Sequence, residues 1–144
     1  MAQKTVTVES KLGEQFIIES DIRGHKVVID QPANAGGSDT APTPLELLFA
    51  SLAGCIGTIG RIVAMQQRIE LRGMNIRVEG PLDVDGLLGK PIEGRVGFEA
   101  ITITVDVDAD ISAAEKEAFI HTVDARCPVS ENLLNATPVC IQLA

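Results

Sequence analysis

Residues 43–69 read TPLELLFASLAGCIGTIGRIVAMQQRI, and this stretch decides the fold. Thr43 can accept from the N3 backbone amide, Pro44 suits the first helical position, and Glu46 at N3 can reach back to the cap. Leu45, Leu48, Leu52, Ile56, Ile59 and Val63 then step by three and four residues, the period of one helix face, until Arg72-Gly73 supplies a stop. A helix of roughly 26 residues spans about 39 Å at 1.5 Å per residue, so in a chain of this size it must be central. Its first half, LELLFASLAGCIGTIG, is apolar nearly all round and predicts burial on most faces. The second half, with Arg61, Gln66, Gln67 and Arg68, is expected to emerge into solvent. Gly54, Gly57 and Gly60 each cost up to about 1 kcal/mol relative to Ala. With Ala50, Ser51 and Ala53 they form a small-residue surface that predicts close approach of another backbone, a helix or a partner subunit.

Upstream, Gln31 to Thr43 contains Pro32, Gly36, Gly37 and Pro42, a loop dense in helix breakers. Before it, Thr5 to Glu9, Gln15 to Ser20 and His25 to Asp30 predict three short strands with turns at Lys11-Leu12-Gly13 and Asp21-Ile22-Arg23-Gly24, an antiparallel meander. Downstream, Met74, Ile76 and Val78 alternate with polar residues as a half-exposed strand, and residues 80–95 make a long connection. Ile101, Ile103, Val105 and Val107 alternate with Thr and Asp, the clearest strand pattern in the chain. A second capping box, Ser112-Ala-Ala-Glu115, starts a helix running to about Val123 with Phe119 and Ile120 inward. Pro128 opens a short helix with Cys127 at or beside its N-cap, and Pro138 to Leu143 predicts a closing strand. With no repeat, linker or low-complexity tract, residues 1–144 read as a single α+β domain.

Composition narrows the function. The 144 residues can bury roughly two-thirds of the unfolded surface without staples. Hydrophobic residues make up 45% of the chain but aromatics only 3%, so aliphatic side chains must fill the core and stacking platforms for bases are missing. A formal net charge of −8, with 12 scattered Lys and Arg, is the opposite of a footprint for nucleic acid or an anionic membrane. The N-terminal MAQKTVTVES has no apolar h-region, and no run approaches about 18 uninterrupted apolar residues, so a cytoplasmic location is expected.

Three cysteines, spaced 72 and 13 residues apart, fit neither a secreted disulfide framework nor a Cys-x-x-Cys zinc pair, which leaves thiol chemistry open. Cys127 has the stronger local case, because a helix N-terminus and Arg126 both favour a thiolate. Cys55, mid-helix, reads by itself as a small buried hydrophobe, and Cys140, within Val139-Cys-Ile141, as strand packing. His25 and His121 are isolated and form no metal-ligand spacing. Glu46 is fully explained by capping, and Arg23 beside Gly24 by a solvated turn.

The order of elements and two motifs resemble the OsmC-like family, which includes the organic hydroperoxide resistance proteins. One motif is the Gly36-Gly37 loop leading into Thr43-Pro-Leu-Glu-Leu-Leu-Phe-Ala-Ser-Leu-Ala-Gly-Cys55; the other is Cys127-Pro-Val-Ser-Glu-Asn-Leu. The resemblance runs from about residue 24 to the C-terminus. It implies an OsmC-like fold, antiparallel sheets wrapped around long central helices in an intertwined homodimer. It also implies a thiol peroxidase for organic hydroperoxides, with Cys55 as the peroxidatic and Cys127 as the resolving cysteine. Cys55 would become a sulfenic acid and then a Cys55–Cys127 disulfide, without metal or organic cofactor. An external dithiol, such as a lipoyl group or a thioredoxin-like protein, would reduce that disulfide. Leu48, Phe49, Leu52 and Ile56 would desolvate the alkyl tail of the substrate.

Two departures mark a divergent branch. The hydroperoxide-resistance proteins carry a glutamate directly after the helix-starting proline, whereas here Leu45 follows Pro44 and the carboxylate is Glu46, about 100° further round the helix. They also hold the thiolate with an N-terminal arginine of the partner subunit, for which Arg23 is the nearest candidate. A second reading therefore stays open: a non-catalytic member that binds a small apolar or thiol-bearing ligand, or a redox sensor.

Overall fold

The computed structural model describes residues 2–144, and the α+β chain divides at Leu48 into two units. In the first, β1 (Glu9–Leu12), β2 (Ile18–Ile22) and β3 (His25–Ile29) form the expected antiparallel meander in the order β1-β2-β3. Thr5 to Val8, expected as the body of the first strand, lie outside it. Glu9 already pairs with Asp21, which leaves only Ile22 of β2 before the turn. That turn is the two-residue Arg23-Gly24 pair, whose φ angles of 56° and 84° are the positive values of a primed hairpin turn. Asp21 Oδ1 accepts from the Gly24 amide at 3.0 Å.

The breaker-rich loop after β3 is organised by Asp30, the residue expected to end the third strand. The fully buried Asp30 carboxylate accepts from the amides of Gln31 (2.7 Å), Ser38 (3.2 Å) and Thr40 (3.0 Å) and from the Thr40 hydroxyl (2.8 Å). These donors, the Thr40 amide foremost, hold the Asp30 carboxyl below its ordinary value although burial pushes the other way. Gly37 is obligatory here, since a Cβ would lie 2.0 Å from the Gln31 carbonyl oxygen. Among the described residues of this unit only Ser20 and Asp30 are buried, while Val6, Val8, Leu12, Phe16 and Val28 are exposed.

Helix α1 (Pro44–Gln67) begins as expected: Thr43 N donates to Glu46 Oε2 at 2.7 Å, and Glu46 N donates to Thr43 Oγ1 at 3.3 Å. It ends two residues before the expected Ile69. Arg68 takes φ 57°, its amide donates to Met65 O at 3.3 Å, and the Ile69 amide donates to Ala64 O at 2.9 Å. This is a Schellman closure built on arginine instead of glycine. By length and composition alone the helix could cross a membrane, yet its Leu52, Ile56, Val63 and Ala64 belong to the core of the second unit.

That unit adds an antiparallel pair, β4 (Gly73–Glu79) and β5 (Thr102–Asp108), in register from Gly73↔Asp108 to Glu79↔Thr102. Between them lies α2 (Val84–Leu87), one turn capped by the Asp83 carboxylate. Helix α3 (Ala113–Ala125) starts at the Ser112/Glu115 capping box and places Phe119 and Val123 in the core. Full burial of each such side chain contributes about 1.5–3 kcal/mol. The step of four from Phe119 to Val123 continues to Cys127, the N-cap of α4 (Pro128–Leu134), so the core line of α3 runs on into the next helix start.

The small-residue surface of α1 is met from within the chain at Gly57 and Gly60. A Cβ on Gly60 would meet Met74 Sδ at 2.6 Å, and one on Gly57 would meet Ile76 Cδ1 at 3.7 Å, both from β4, whereas Gly54 faces open space. The expected closing strand is absent. Pro138 to Leu143 pair with no strand among the described residues, and Val139, Ile141 and Leu143 are 84%, 95% and 101% exposed. Cys140, expected to pack in that strand, is exposed with it.

Candidate active site

Two elements of the second unit deliver the site. On α1, Leu52 and Ile56 point into the core, and Cys55 lies between them at the edge of that face, half-buried. From the other side Cys127 enters at the joint between α3 and α4, with 1% of its surface exposed. The two sulfurs are in contact, Cys127 Sγ to Cys55 Sγ 2.8 Å, and both residues are free thiols. Less than about 1 Å of movement separates this from the bonded distance of about 2.05 Å. Thus, across a sequence separation of 72, the fold brings together one thiol that solvent can reach and one that it cannot.

The environment of Cys127 reverses the local expectation. Its Sγ accepts from the Ser130 amide at 3.4 Å, as an N-cap should. Burial nevertheless pushes the thiol up, contact with Cys55 adds to the rise, and the Ser130 and Val129 amides offset it only in part. Arg126, expected to assist, instead donates from Nη1 to Gln66 Oε1 at 2.7 Å. The physical reason is that desolvating an anion costs more than two backbone donors return.

Glu46 and Arg23 belong to the first unit, the cysteines to the second. Glu46 is exposed and engaged with the Thr43 amide, and it precedes Cys55 on α1 by nine residues, about two and a half turns. Arg23 is exposed in the β2–β3 turn. Of the expected aliphatic lining, Leu52 is wholly committed to the core, and Phe49 stacks on Phe98 with ring centroids 4.5 Å apart. A cavity of about 240 Å³ lies over the first sheet, and one of about 230 Å³ is lined by Ile56, Ile103, Ile120, Val123, His121 and Asp124. The second is apolar, with two polar groups on its wall.

One contact near Cys127 escaped sequence reading altogether: Ser130 Oγ donates to Asp124 Oδ1 at 2.7 Å. A serine six residues after an aspartate carries no local signal, because the pair meets only through the bend between two helices.

The family model described as OsmC-like protein matches residues 36–142. Among solved structures, the chain is similar to an OsmC-like protein from Mycoplasma pneumoniae at 20% identity and a TM-score of 0.81, covering 94% of this chain and 91% of that one. It is also similar to an organic hydroperoxide resistance protein OsmC from Legionella pneumophila at 24% identity and a TM-score of 0.69, covering 92% and 91%. The organic hydroperoxide resistance protein OhrB of Bacillus subtilis is 26% identical, with a TM-score of 0.62 and 94% of each chain covered. No curated protein sequence matches.

Proposed function

Because the chain belongs to the OsmC-like family, and because Cys55 and Cys127 are in contact, we propose that it is a cofactor-free thiol peroxidase for organic hydroperoxides. The observation that carries this reading is the contact itself, one half-buried and one fully buried thiol at 2.8 Å. Structural relatives named for organic hydroperoxide resistance support the choice of substrate.

The Cys55 thiolate attacks the outer oxygen of the hydroperoxide. An S–O bond forms, the O–O bond breaks, and the alkoxide leaves as the alcohol after taking a proton. Cys127 then attacks the Cys55 sulfur; the S–S bond forms, the S–O bond breaks, and hydroxide leaves as water with the Cys127 proton. An external dithiol, a lipoyl group or a thioredoxin-like protein, returns two electrons by thiol–disulfide exchange. Division of labour follows from burial: Cys55 meets the substrate, whereas Cys127 is shielded from it and reacts only with its neighbour. The cavity lined by Ile56, Ile103, Ile120 and Val123 suits an alkyl tail.

In this reading Glu46 and Arg23 orient the peroxide and the thiolate within an intertwined homodimer in the cytoplasm. Exposed apolar residues on α1, Ile62 and Met65 among them, and on the C-terminal segment support a second copy as the covering partner. One observation favours the alternative of a ligand-binding or redox-sensing member: the Glu46 carboxylate already has a capping partner.

Turnover decides between them. Dihydrolipoamide should support reduction of cumene or tert-butyl hydroperoxide faster than of hydrogen peroxide, and Cys55→Ser should abolish it. Cys127→Ser should leave a sulfenic acid on Cys55. A catalytic Glu46 would lose about tenfold to a hundredfold in rate as Glu46→Gln. A purely capping one loses up to about 1 kcal/mol of stability with turnover intact. Absence of dithiol-dependent turnover with any organic hydroperoxide, alongside tight binding of an apolar ligand, would overturn the peroxidase reading.

A further inference from the structure

Cys127 sits in a joint of only two residues, since α3 ends at Ala125 and α4 begins at Pro128. Asp124 grips both sides of that joint. Its carbonyl accepts from the Cys127 amide at 3.1 Å, and its carboxylate accepts from Ser130 Oγ, in the first turn of α4, at 2.7 Å. Ser130 in turn presents its own amide to Cys127 Sγ at 3.4 Å. The serine is buried, so its hydroxyl has no ready water to replace the aspartate, and a hydrogen bond to a carboxylate is among the stronger ones.

We infer that Ser130 and Asp124 are positioning residues for Cys127: their hydrogen bond fixes the α3–α4 joint so that the Cys127 sulfur stays within bonding reach of Cys55. Pro128 and the Glu131 amide, which donates to Cys127 O at 3.0 Å, keep Cys127 on the start of α4 with or without the clasp. What the clasp adds is the angle between α4 and the end of α3. Capture of a Cys55 intermediate by Cys127 is unimolecular, so its rate scales with the fraction of time the sulfurs are in contact. The inference rests on the cysteine pairing of the peroxidase reading, and it can be tested without any peroxide.

In a Cys140→Ser background, which removes the exposed third thiol, an aromatic disulfide such as 5,5′-dithiobis(2-nitrobenzoate) reports two steps. Cys55 thiolate first displaces one aryl thiolate and becomes a mixed disulfide, a bimolecular step. Cys127 then attacks the Cys55 sulfur, the Cys55–aryl S–S bond breaks, the Cys127 proton goes to solvent, and a second aryl thiolate is released in a unimolecular step. Ser130→Ala and Asp124→Ala should each slow the second release about tenfold or more and leave the first unchanged. The double variant should be no slower than either single one. Ser130→Thr and Asp124→Asn, which keep a donor and an acceptor, should stay close to the parent.

A second release unchanged in Ser130→Ala overturns the inference. So does a slowing shared equally by Ser130→Thr, which would follow packing and not the hydroxyl. A parent protein whose second release is no faster than that of denatured chain overturns it as well. Loss of hydroperoxide turnover with a clasp-dependent second release would sink the peroxidase reading alone, and turnover with a clasp-independent release would sink this inference alone.

Discussion

Cys127 has 1% of its surface exposed, and the cost of a buried anion there exceeds what the Ser130 and Val129 amides return. A thiol whose value is raised in the folded chain is neutral over the whole physiological range. Its contribution to stability is fully present below the ordinary thiol value and is lost as pH rises through the raised one. Burial, the largest cause of that rise, still acts in the closing step, because only the thiolate attacks a sulfenic sulfur. Closure of the Cys55–Cys127 disulfide after a pulse of hydroperoxide should therefore keep accelerating as pH rises above neutrality, toward the roughly tenfold per unit of a thiol that is still protonated. Trapping the remaining sulfenic acid with dimedone at each pH measures this. A rate that levels off near neutrality would mean that the helix start outweighs burial after all. Sequence favoured that second outcome, since a helix N-cap and a neighbouring arginine are visible in Arg126-Cys127-Pro128. The depth at which Phe119, Val123 and Cys127 line up is visible only in three dimensions.

Elements specified by neighbouring residues were legible. Both capping boxes, the start of α4 at Pro128 and the alternation of β5 depend on contacts within a few residues, and they fall where the pattern puts them. The end of α1 was less legible, because Arg68 adopts the left-handed conformation usually left to glycine. The glycines of α1 were legible as a surface but not as to its occupant. Gly57 has ordinary clearance to Ile76, so Gly57→Ala adds a helix-favouring methyl without a clash and should stabilise the protein by about 0.5–1 kcal/mol. Gly60 has none: its methyl would fall 2.6 Å from Met74 Sδ beside the buried Phe119. Overpacking of this kind costs about 1–3 kcal/mol, so Gly60→Ala should gain nothing or lose stability. Urea denaturation of the two variants checks the contrast, and equal gains at both positions would contradict the packing of β4 on α1.

Across the whole molecule, the pattern at 138–143 promises a strand, yet an edge to pair with is a property of the assembly and not of the local sequence. The site divides in the same way. Cys55 had no local signal, and both its role and its meeting with Cys127 were legible only through the resemblance, because nothing in the residues around either cysteine points to the other. Val139, Ile141 and Leu143 are almost wholly exposed. Apolar surface of this extent marks an interaction face. In the proposed homodimer a second copy covers it, and sedimentation should find a dimer at micromolar concentration. Burying Ile141 or Leu143 contributes about 1.5–3 kcal/mol per side chain, twice in a symmetric pair. Ile141→Asp and Leu143→Asp should therefore weaken association by well over about tenfold, a factor equal to 1.4 kcal/mol. Cys140, between the two apolar neighbours, supplies an internal reporter. Its alkylation by iodoacetamide should be slow at high protein concentration and approach the rate of a free thiol on dilution or in Ile141→Asp. A wild-type chain that sediments as a monomer, with Cys140 alkylated at the free-thiol rate at every concentration, would leave this surface without the partner proposed for it.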